Sequence, residues 1–393
     1  MPMKEFPGGS RVSYEIAEPW GSNFQIGPDV IVECHRLSLG NNVKIGMPDE
    51  ETAFRHPGGV RIHAEELVLG DGVQIDRHTL IHGGHFIIGC GVHIGPENTF
   101  RVNKQLRIGA NATINEQCEI SGVDIVIGRQ FRMLAQAKIG GGSAFEVHSR
   151  FRVGNWCHVG MRCMLNTARP ITIGDEVGLG TSTCLYTHGA YASALDGKPV
   201  GFGPISIGDR TWIPGAIVNP SVSIGRDCVI GVGSVVSRNI PDGSLAAGVP
   251  AKIIRENAYP RPLTGSQRFE FWLDFLRVFS EICSERWQVS HFSSAGSDVI
   301  LMLGGTLVGY AAMLDSEHIG EWGKHAEAVA LTDQLAVSAA DVAPHITVID
   351  PVAKRIIGSV TPISEKLIDQ LRRYGIRFDY EAEDGLYVPW SQD

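Results

Sequence analysis

The sequence has no CxxC pair, no excess of positive charge and no apolar leader. Its eight cysteines (Cys34, Cys90, Cys118, Cys157, Cys163, Cys184, Cys228 and Cys283) mostly fall where a small apolar residue suits a repeating core. They predict reduced core residues rather than a disulfide framework. Lysine and arginine number 34 against 43 aspartates and glutamates, a formal net charge of -9. That balance argues against a nucleic-acid footprint and against a polybasic membrane surface. The opening residues, MPMKEFPGGS, lack the apolar core of a signal peptide. One uncharged apolar run, residues 299–314, is broken by Gly304, Gly305 and Gly309 and is short for a membrane span. It predicts two core strands of a soluble domain. The expectation is a cytoplasmic chain without membrane insertion or nucleic-acid partner, its 393 residues ample for two or more domains.

Glycine is abundant, at 47 residues, and a repeat consumes it. Between residues 171 and 255 aliphatic side chains return every sixth position: Ile173, Leu179 and Leu185, then Ile207 and Ile213, then Ile224 and Ile230. Most are followed by glycine, as in Ile173-Gly174 and Ile224-Gly225. A six-residue period is neither helical nor a strand alternation. It predicts a parallel β-helix, in which each hexad forms a short strand and a corner, the aliphatic residue points inward and the glycine eases the turn. Hexads begin at Ile26-Gly27, Leu39-Gly40 and Ile45-Gly46, pause over residues 47–60, and resume through Leu69-Gly70, Ile94-Gly95, Ile127-Gly128, Ile139-Gly140 and Val153-Gly154. Three hexads per coil predict roughly ten to twelve coils over residues 22–250. The period does not give the hand of the coil, since parallel crossovers are normally right-handed.

Beyond Arg255 the hexads stop. Tyr259-Pro260-Arg261-Pro262 reads as a stiff linker. Residues 266–287 show helical spacing, with Trp272, Phe275, Leu276, Phe279, Ile282 and Cys283 on one face. Strands are expected at 299–303 and 306–311, a hairpin across 350–354, a helix at 364–374 and closing strands at 376–380 and 385–389. The expected class is mainly β: a lead-in over 1–21, a β-helix over 22–258, and a smaller α+β domain over 259–393 whose role the sequence does not reveal.

The repeat breaks between Leu185 and Ile207 into a loop with Tyr186-Thr187-His188-Gly189 at its root. A histidine held there by a rigid coil suits general-base chemistry on an acceptor hydroxyl or amine. Cys184 is a rival nucleophile through thioester exchange, but beside Leu185 in a rung it reads as a small core residue. His63, His78, His82, His85 and His93 invite a metal reading, as in a zinc hydratase. A third class is a scaffold that only displays the C-terminal domain.

The THG loop, the Asp209-Arg210-Thr211-Trp212-Ile213 rung and the segment Ala246-Ala247-Gly248-Val249-Pro250-Ala251-Lys252 together resemble the hexapeptide-repeat acyltransferases. The nearest are the galactoside, maltose and nodulation-type O-acetyltransferases, with the match closest over residues 150–255. The resemblance implies a left-handed β-helix and an acetyl-CoA-dependent acyltransferase that O-acetylates a sugar or polysaccharide-type hydroxyl, or alternatively an amino sugar. It implies His188 as catalytic base, a homotrimer and no metal. Cofactor contacts would fall on Trp212, Gly215, Val232, Ser237, Arg238, Lys252 and Arg255, with Asn155 and Asn166 as acceptor-site residues. A γ-type zinc carbonic anhydrase shares the left-handed coil, but its zinc-site run is not visible here, and it lacks the AAGVPAK tail. Three departures stand out. Pro214-Gly215 follows the Trp-Ile pair where relatives have Gly-Ser, eleven residues rather than twelve separate Ile213 from Ile224, and Thr167-Ala168 replaces an acidic pair.

Overall fold

The aliphatic residue of each rung points inward and stacks on its counterparts in neighbouring coils. Ile45, Ile75, Ile94, Ile114, Met133, Val159, Leu179, Ile213 and Ile230 form one such column, all at most 1% exposed. The computed structural model describes residues 3–47, 59–190, 193–296 and 298–378. The chain divides between Pro260 and Arg261 into two compact units. The first is a parallel β-solenoid whose coils stack through two long sheets, and the second is an α+β unit. The expected class, mainly β with a smaller α+β unit after the coil, is the observed one.

The coil differs from a strict hexad prism. In residues 31–127 two of the three faces run as one continuous strand: Ile31–Leu39, Arg61–Leu69, Leu80–Ile88, Thr99–Ile108 and Glu119–Ile127. In Ile31–Leu39 the buried residues are Val32, Cys34, Leu37 and Leu39. The one three-residue step, across His35 and Arg36, lets the strand bend without losing its inward face. The extra residue lengthens the coil. Nineteen residues separate Gln74 from its partner His93, twenty separate His93 from Thr113, and nineteen separate Thr113 from Arg132. Eighteen were expected from three hexads, so the register of the bend was missed.

After Ile127 the long strand divides into two sets of short ones, beginning with Lys138–Ile139 and Arg150–Val153. Coil length then varies. From Arg132 to His158 is twenty-six residues, from Gly178 to Trp212 thirty-four, and from Trp212 to Val229 seventeen. The two enlarged coils carry loops at 140–149 and 187–203. Sequence reading found the second and passed over the first. Its only signals were Gly140-Gly141-Gly142 and a step of fourteen from Ile139 to Val153 where two hexads need twelve.

Both ends of the coil are closed by antiparallel strands. Ser10–Ala17 already lies in the long sheet, parallel to Ile31–Leu39, and Met3–Phe6 turns back along it. Phe6, Tyr14, Trp20 and Phe24 cluster over the first turn. Residues 3–17 are therefore an ordered cap. At the other end Ala251–Arg255 runs antiparallel to Leu245–Gly248. Residues 48–58, in the pause of the repeat, lie outside the described residues.

The second unit opens with α1 (Gly265–Cys283), started by a capping box in which Thr264 and Gln267 satisfy each other's backbone amides. Its Trp272, Phe275, Leu276, Phe279 and Cys283 are buried, whereas Ile282, expected on that face, is 41% exposed. Six strands follow in sequential order, antiparallel at both edges and parallel across Thr306–Ala311, Ala328–Thr332 and Ile346–Asp350. Helix α2 (Ser316–Trp322) lies within the connection between the first two parallel strands. The apolar run forms Asp298–Leu303 and Thr306–Ala311, as expected, and residues 350–354 turn the expected hairpin. Helix α3 (Pro362–Arg373) matches the second expected helix. Residues 376–378 form no strand, and the rest of the expected closing strands lies outside the described residues.

Candidate active site

His188 begins a two-residue strand, His188–Gly189, paired antiparallel with Gly201–Phe202 at the root of the longest coil. Its ring stacks on Phe202, with centroids 5.9 Å apart and planes 18° apart. Asn166 Oδ1 lies 2.8 Å from His188 Nδ1. The same Oδ1 accepts the backbone N–H of Ala168 at 3.2 Å. A backbone amide can only donate, so that atom of Asn166 is its oxygen. Nδ1 of His188 must then carry the proton, which leaves the Nε2 lone pair free in the neutral ring.

The orienting group is itself held. Asn166 is only 6% exposed, and its backbone carbonyl accepts the Thr187 hydroxyl at 2.7 Å. Thr187 Oγ1 in turn accepts the amide of Arg169 at 2.9 Å. The Arg169 guanidinium sits 4.7 Å from the centre of the Phe202 ring and pairs with Glu146 at 3.6 Å. Thr167 and Ala168, which stand where relatives have acids, are buried; Thr167 shares a 2.9 Å hydrogen bond with Ser149. Gly142 faces the open edge of the imidazole. A Cβ built there would meet Nε2 at 3.6 Å and Cε1 at 3.7 Å. Phe202, Arg169 and Gly142 were missed from sequence, because each is distant in the chain and carries no motif, and Thr187, though quoted within the THG loop, was given no role.

Of the two acceptor-site candidates, the structure brings Asn166 to His188 and leaves Asn155 in a corner. Asn155 Oδ1 accepts the amide of Arg129 at 3.0 Å, and its own amide donates to Asp175 at 2.6 Å. Asp175 passes the pattern to Asp209. Asn155 belongs to a ladder that ties one corner to the next.

The cofactor candidates lie on the last coils. Trp212 is 56% exposed on its rung and crosses Gly178 of the coil before, where an added Cβ would approach the indole to 3.3 Å. Gly215 adopts φ +133°, and a Cβ there would come within 3.1 Å of the Thr181 carbonyl. A serine could not be placed at position 215 on this backbone without strain. Gly233 donates to the Gly215 carbonyl at 2.7 Å, setting the 77% exposed Val232 beside Gly215 in the next coil. Ser237 and Arg238 are exposed just after Val235–Val236. Lys252 and Arg255 are exposed on the closing strand, opposite Ala247 and Leu245. None of the seven shares a hydrogen bond or ring contact with His188 among the described residues.

Cys184 points outward and half-buried, while its neighbour Leu185 fills the core, a correction to its expected core position. Its Sγ meets the Ser182 carbonyl at 3.6 Å, with no histidine beside it among the described residues. All eight cysteines are free. Burial pushes the Cys34 thiol up to about 12 and those of Cys118 and Cys163 to about 11. Cys90 is exposed, unlike the core position expected of it. The histidine-rich stretch is spent on neighbours. His63 stacks on His82 at 5.4 Å, His85 meets Glu66 at 3.0 Å, and His93 meets Asp76 at 2.8 Å. Among the described residues no three histidine, cysteine or acidic side chains are grouped to hold a metal ion.

No family model matches the chain. Over 116 residues it is 35% identical to galactoside O-acetyltransferase of Escherichia coli (strain K12), a match spanning 28% of this chain and 57% of that one. Over 117 residues it is 39% identical to a Schizosaccharomyces pombe protein bearing an acetyltransferase name, spanning 29% and 56%. The chain thus spans a little over half the length of these curated relatives. Among solved structures, a maltose O-acetyltransferase from Clostridium difficile 630 is 26% identical over 35% of this chain and 68% of that one, with a TM-score of 0.26. A galactoside acetyltransferase in complex with coenzyme A is 27% identical over 37% and 65%, with a TM-score of 0.24. The resemblance to the hexapeptide-repeat acyltransferases stands on sequence, over part of the coil.

Proposed function

We propose that the β-helical unit is a coenzyme A-dependent acyltransferase that O-acetylates a sugar or polysaccharide-type hydroxyl, with His188 as general base. The observation that carries this reading is the Asn166–His188 hydrogen bond, which fixes the tautomer with Nε2 free. In that tautomer Nε2 takes the proton of an acceptor hydroxyl as its oxygen attacks. The ring becomes a cation, and the Nδ1–H bond to Asn166 Oδ1 strengthens as it does so. The ring then returns the proton to the departing sulfur. Acetyl-coenzyme A, when bound, supplies the acetyl group as a thioester. The last coils suit such a donor: the half-buried Gly215, bare of a side chain, lies beside the exposed Val232, and the cations of Arg238, Lys252 and Arg255 can meet phosphates. The names of the sequence relatives point to the same chemistry.

The exposed apolar side chains of Trp212, Val232 and Ile254 on these coils are what a C3 trimer with shared sites would cover. No helix among the described residues is long and apolar enough to cross a membrane; the eight free cysteines are what supports placing the enzyme in the reducing cytoplasm. The test is release of free thiol from acetyl-CoA across a panel of sugars, nucleotide sugars and small alcohols. Acceptor-dependent release that disappears in His188→Ala supports the reading; absence of any release, together with absence of coenzyme A binding, overturns it.

A further inference from the structure

Three glycines in a row open the loop at 140–149, and only two of them are explained by folding. Gly140 adopts φ +126°, and a Cβ there would lie 2.7 Å from the Ser121 carbonyl. Gly141 adopts φ +117°, and a Cβ there would lie 2.8 Å from Asn166 Nδ2. Both positions demand glycine by backbone conformation and by close approach. Gly142 is different. Its φ lies outside the left-handed region, it is exposed, and among the described residues, its chain neighbours aside, the only atoms within 4 Å of a Cβ built there are Nε2 and Cε1 of His188. An alanine would fit without strain. The missing side chain keeps clear the one edge of the imidazole that does chemistry.

The segment that carries Gly142 is rigid enough to define a wall. Ala144 donates to the Gly141 carbonyl at 3.0 Å, Glu146 to Ser143 at 3.2 Å and Ser149 to Glu146 at 2.8 Å, giving successive tight turns. Ala144 is buried. Ser149 bonds Thr167 at 2.9 Å and Glu146 pairs with Arg169 at 3.6 Å, so the loop is pinned to the segment that orients His188.

We propose, on the acyltransferase reading above, that Gly142 determines acceptor specificity by leaving room beside His188 Nε2 for a hydroxyl borne on a substituted ring carbon. A hydroxyl oxygen delivering its proton to Nε2 sits about 2.6–3.2 Å away, which puts its carbon at roughly 3.5 Å from that nitrogen. A Cβ on residue 142 would stand 3.6 Å from the same nitrogen and compete for that space. Crowding there costs least for water, whose oxygen bears no carbon, and most for a secondary hydroxyl, whose carbon brings two ring neighbours with it. The room beside Nε2 therefore admits cyclic polyols reacting at a secondary hydroxyl.

The experiment compares wild type with Gly142→Ala and Gly142→Val on three readouts: transfer to cyclic polyols, hydrolysis of acetyl-CoA in water, and carbethoxylation of residue 188 by diethyl pyrocarbonate followed by mass spectrometry. Gly142→Ala is expected to lower kcat/KM for the cyclic acceptor about 10- to 200-fold, the range for one methyl group in a pocket. Gly142→Val should lower it further. Acetyl-CoA hydrolysis should fall by a smaller factor than transfer in both. Carbethoxylation of His188 should slow in Gly142→Val, a result that does not depend on any enzymatic activity. Unchanged acceptor selectivity in Gly142→Val, or equal loss of hydrolysis and transfer, would overturn the assignment. A wild type that neither hydrolyses nor transfers, while Gly142→Val still slows carbethoxylation, would fault the acyltransferase reading and leave the wall in place.

Discussion

The two halves of the coil are built from the same repeat and put to different use. In residues 61–127 every coil is nineteen or twenty residues long, and nine- or ten-residue strands bend across two faces in parallel register. In residues 128–255 the strands are pieces of two to five residues, and two coils swell to twenty-six and thirty-four residues. Where the ladder is continuous, an insertion would have to break cross-coil hydrogen bonds on both sides. Where corners separate short strands, a loop can leave and return while the rungs stay paired. His188, Asn166, Phe202 and Gly142 all lie on the divided half, and three of them are on or beside inserted loops. The histidines of the regular half stay on its outer faces.

The sharpest way to test this contrast is to remove the proposed base. His188→Ala should lower turnover by about 10²- to 10⁴-fold with little change in melting temperature, since a loop residue carries little of the core. Near-normal turnover in a folded variant would remove His188 from the mechanism. In the regular half the effects should be reversed. Ile114 is fully buried, and Ile114→Ala should cost about 2–5 kcal/mol in chemical denaturation, with turnover per folded molecule unchanged. A turnover loss as large as that of His188→Ala would mean the halves are coupled.

Asn166→Ala removes the partner that orients the imidazole and steadies its charge. A hydrogen bond to a charged group contributes about 1.5–3 kcal/mol, so turnover should fall about 10- to 100-fold, and Asn166→Asp should recover part of it. Loss of folding in both variants, seen by circular dichroism, would make Asn166 structural instead. The smallest effects belong to surface contacts of the regular half. His93→Gln interrupts the contact with Asp76 and should change stability by less than about 1 kcal/mol. The cysteines grade the two extremes. With thiols raised by burial to between about 11 and 12, Cys34, Cys118 and Cys163 stay protonated at pH 8 and should resist iodoacetamide in the native protein. The exposed Cys90 should be labelled. Equal labelling of all four at pH 8 would show that the coil opens more readily than its core implies.

The sequence by itself determined the coil, its core columns, the helices α1 and α3 of the second unit but not α2, and His188 as the residue to test. These are local: an inward aliphatic every six residues or a capped amphipathic stretch acts on its own neighbours, and a break in a strict period marks its own place. Tertiary structure decided what surrounds His188. Asn166 is twenty-two residues away along the chain and meets the imidazole because one extra coil returns it there. Gly142 lies further back still, on a loop whose weak signal is a two-residue excess in the repeat. The fused strands of residues 31–127 were equally hidden, since a bend that swaps one buried spacing of two for three leaves the aliphatic count almost unchanged. In a solenoid, residues one coil apart are in contact, and which of them align depends on the summed length of every insertion between them.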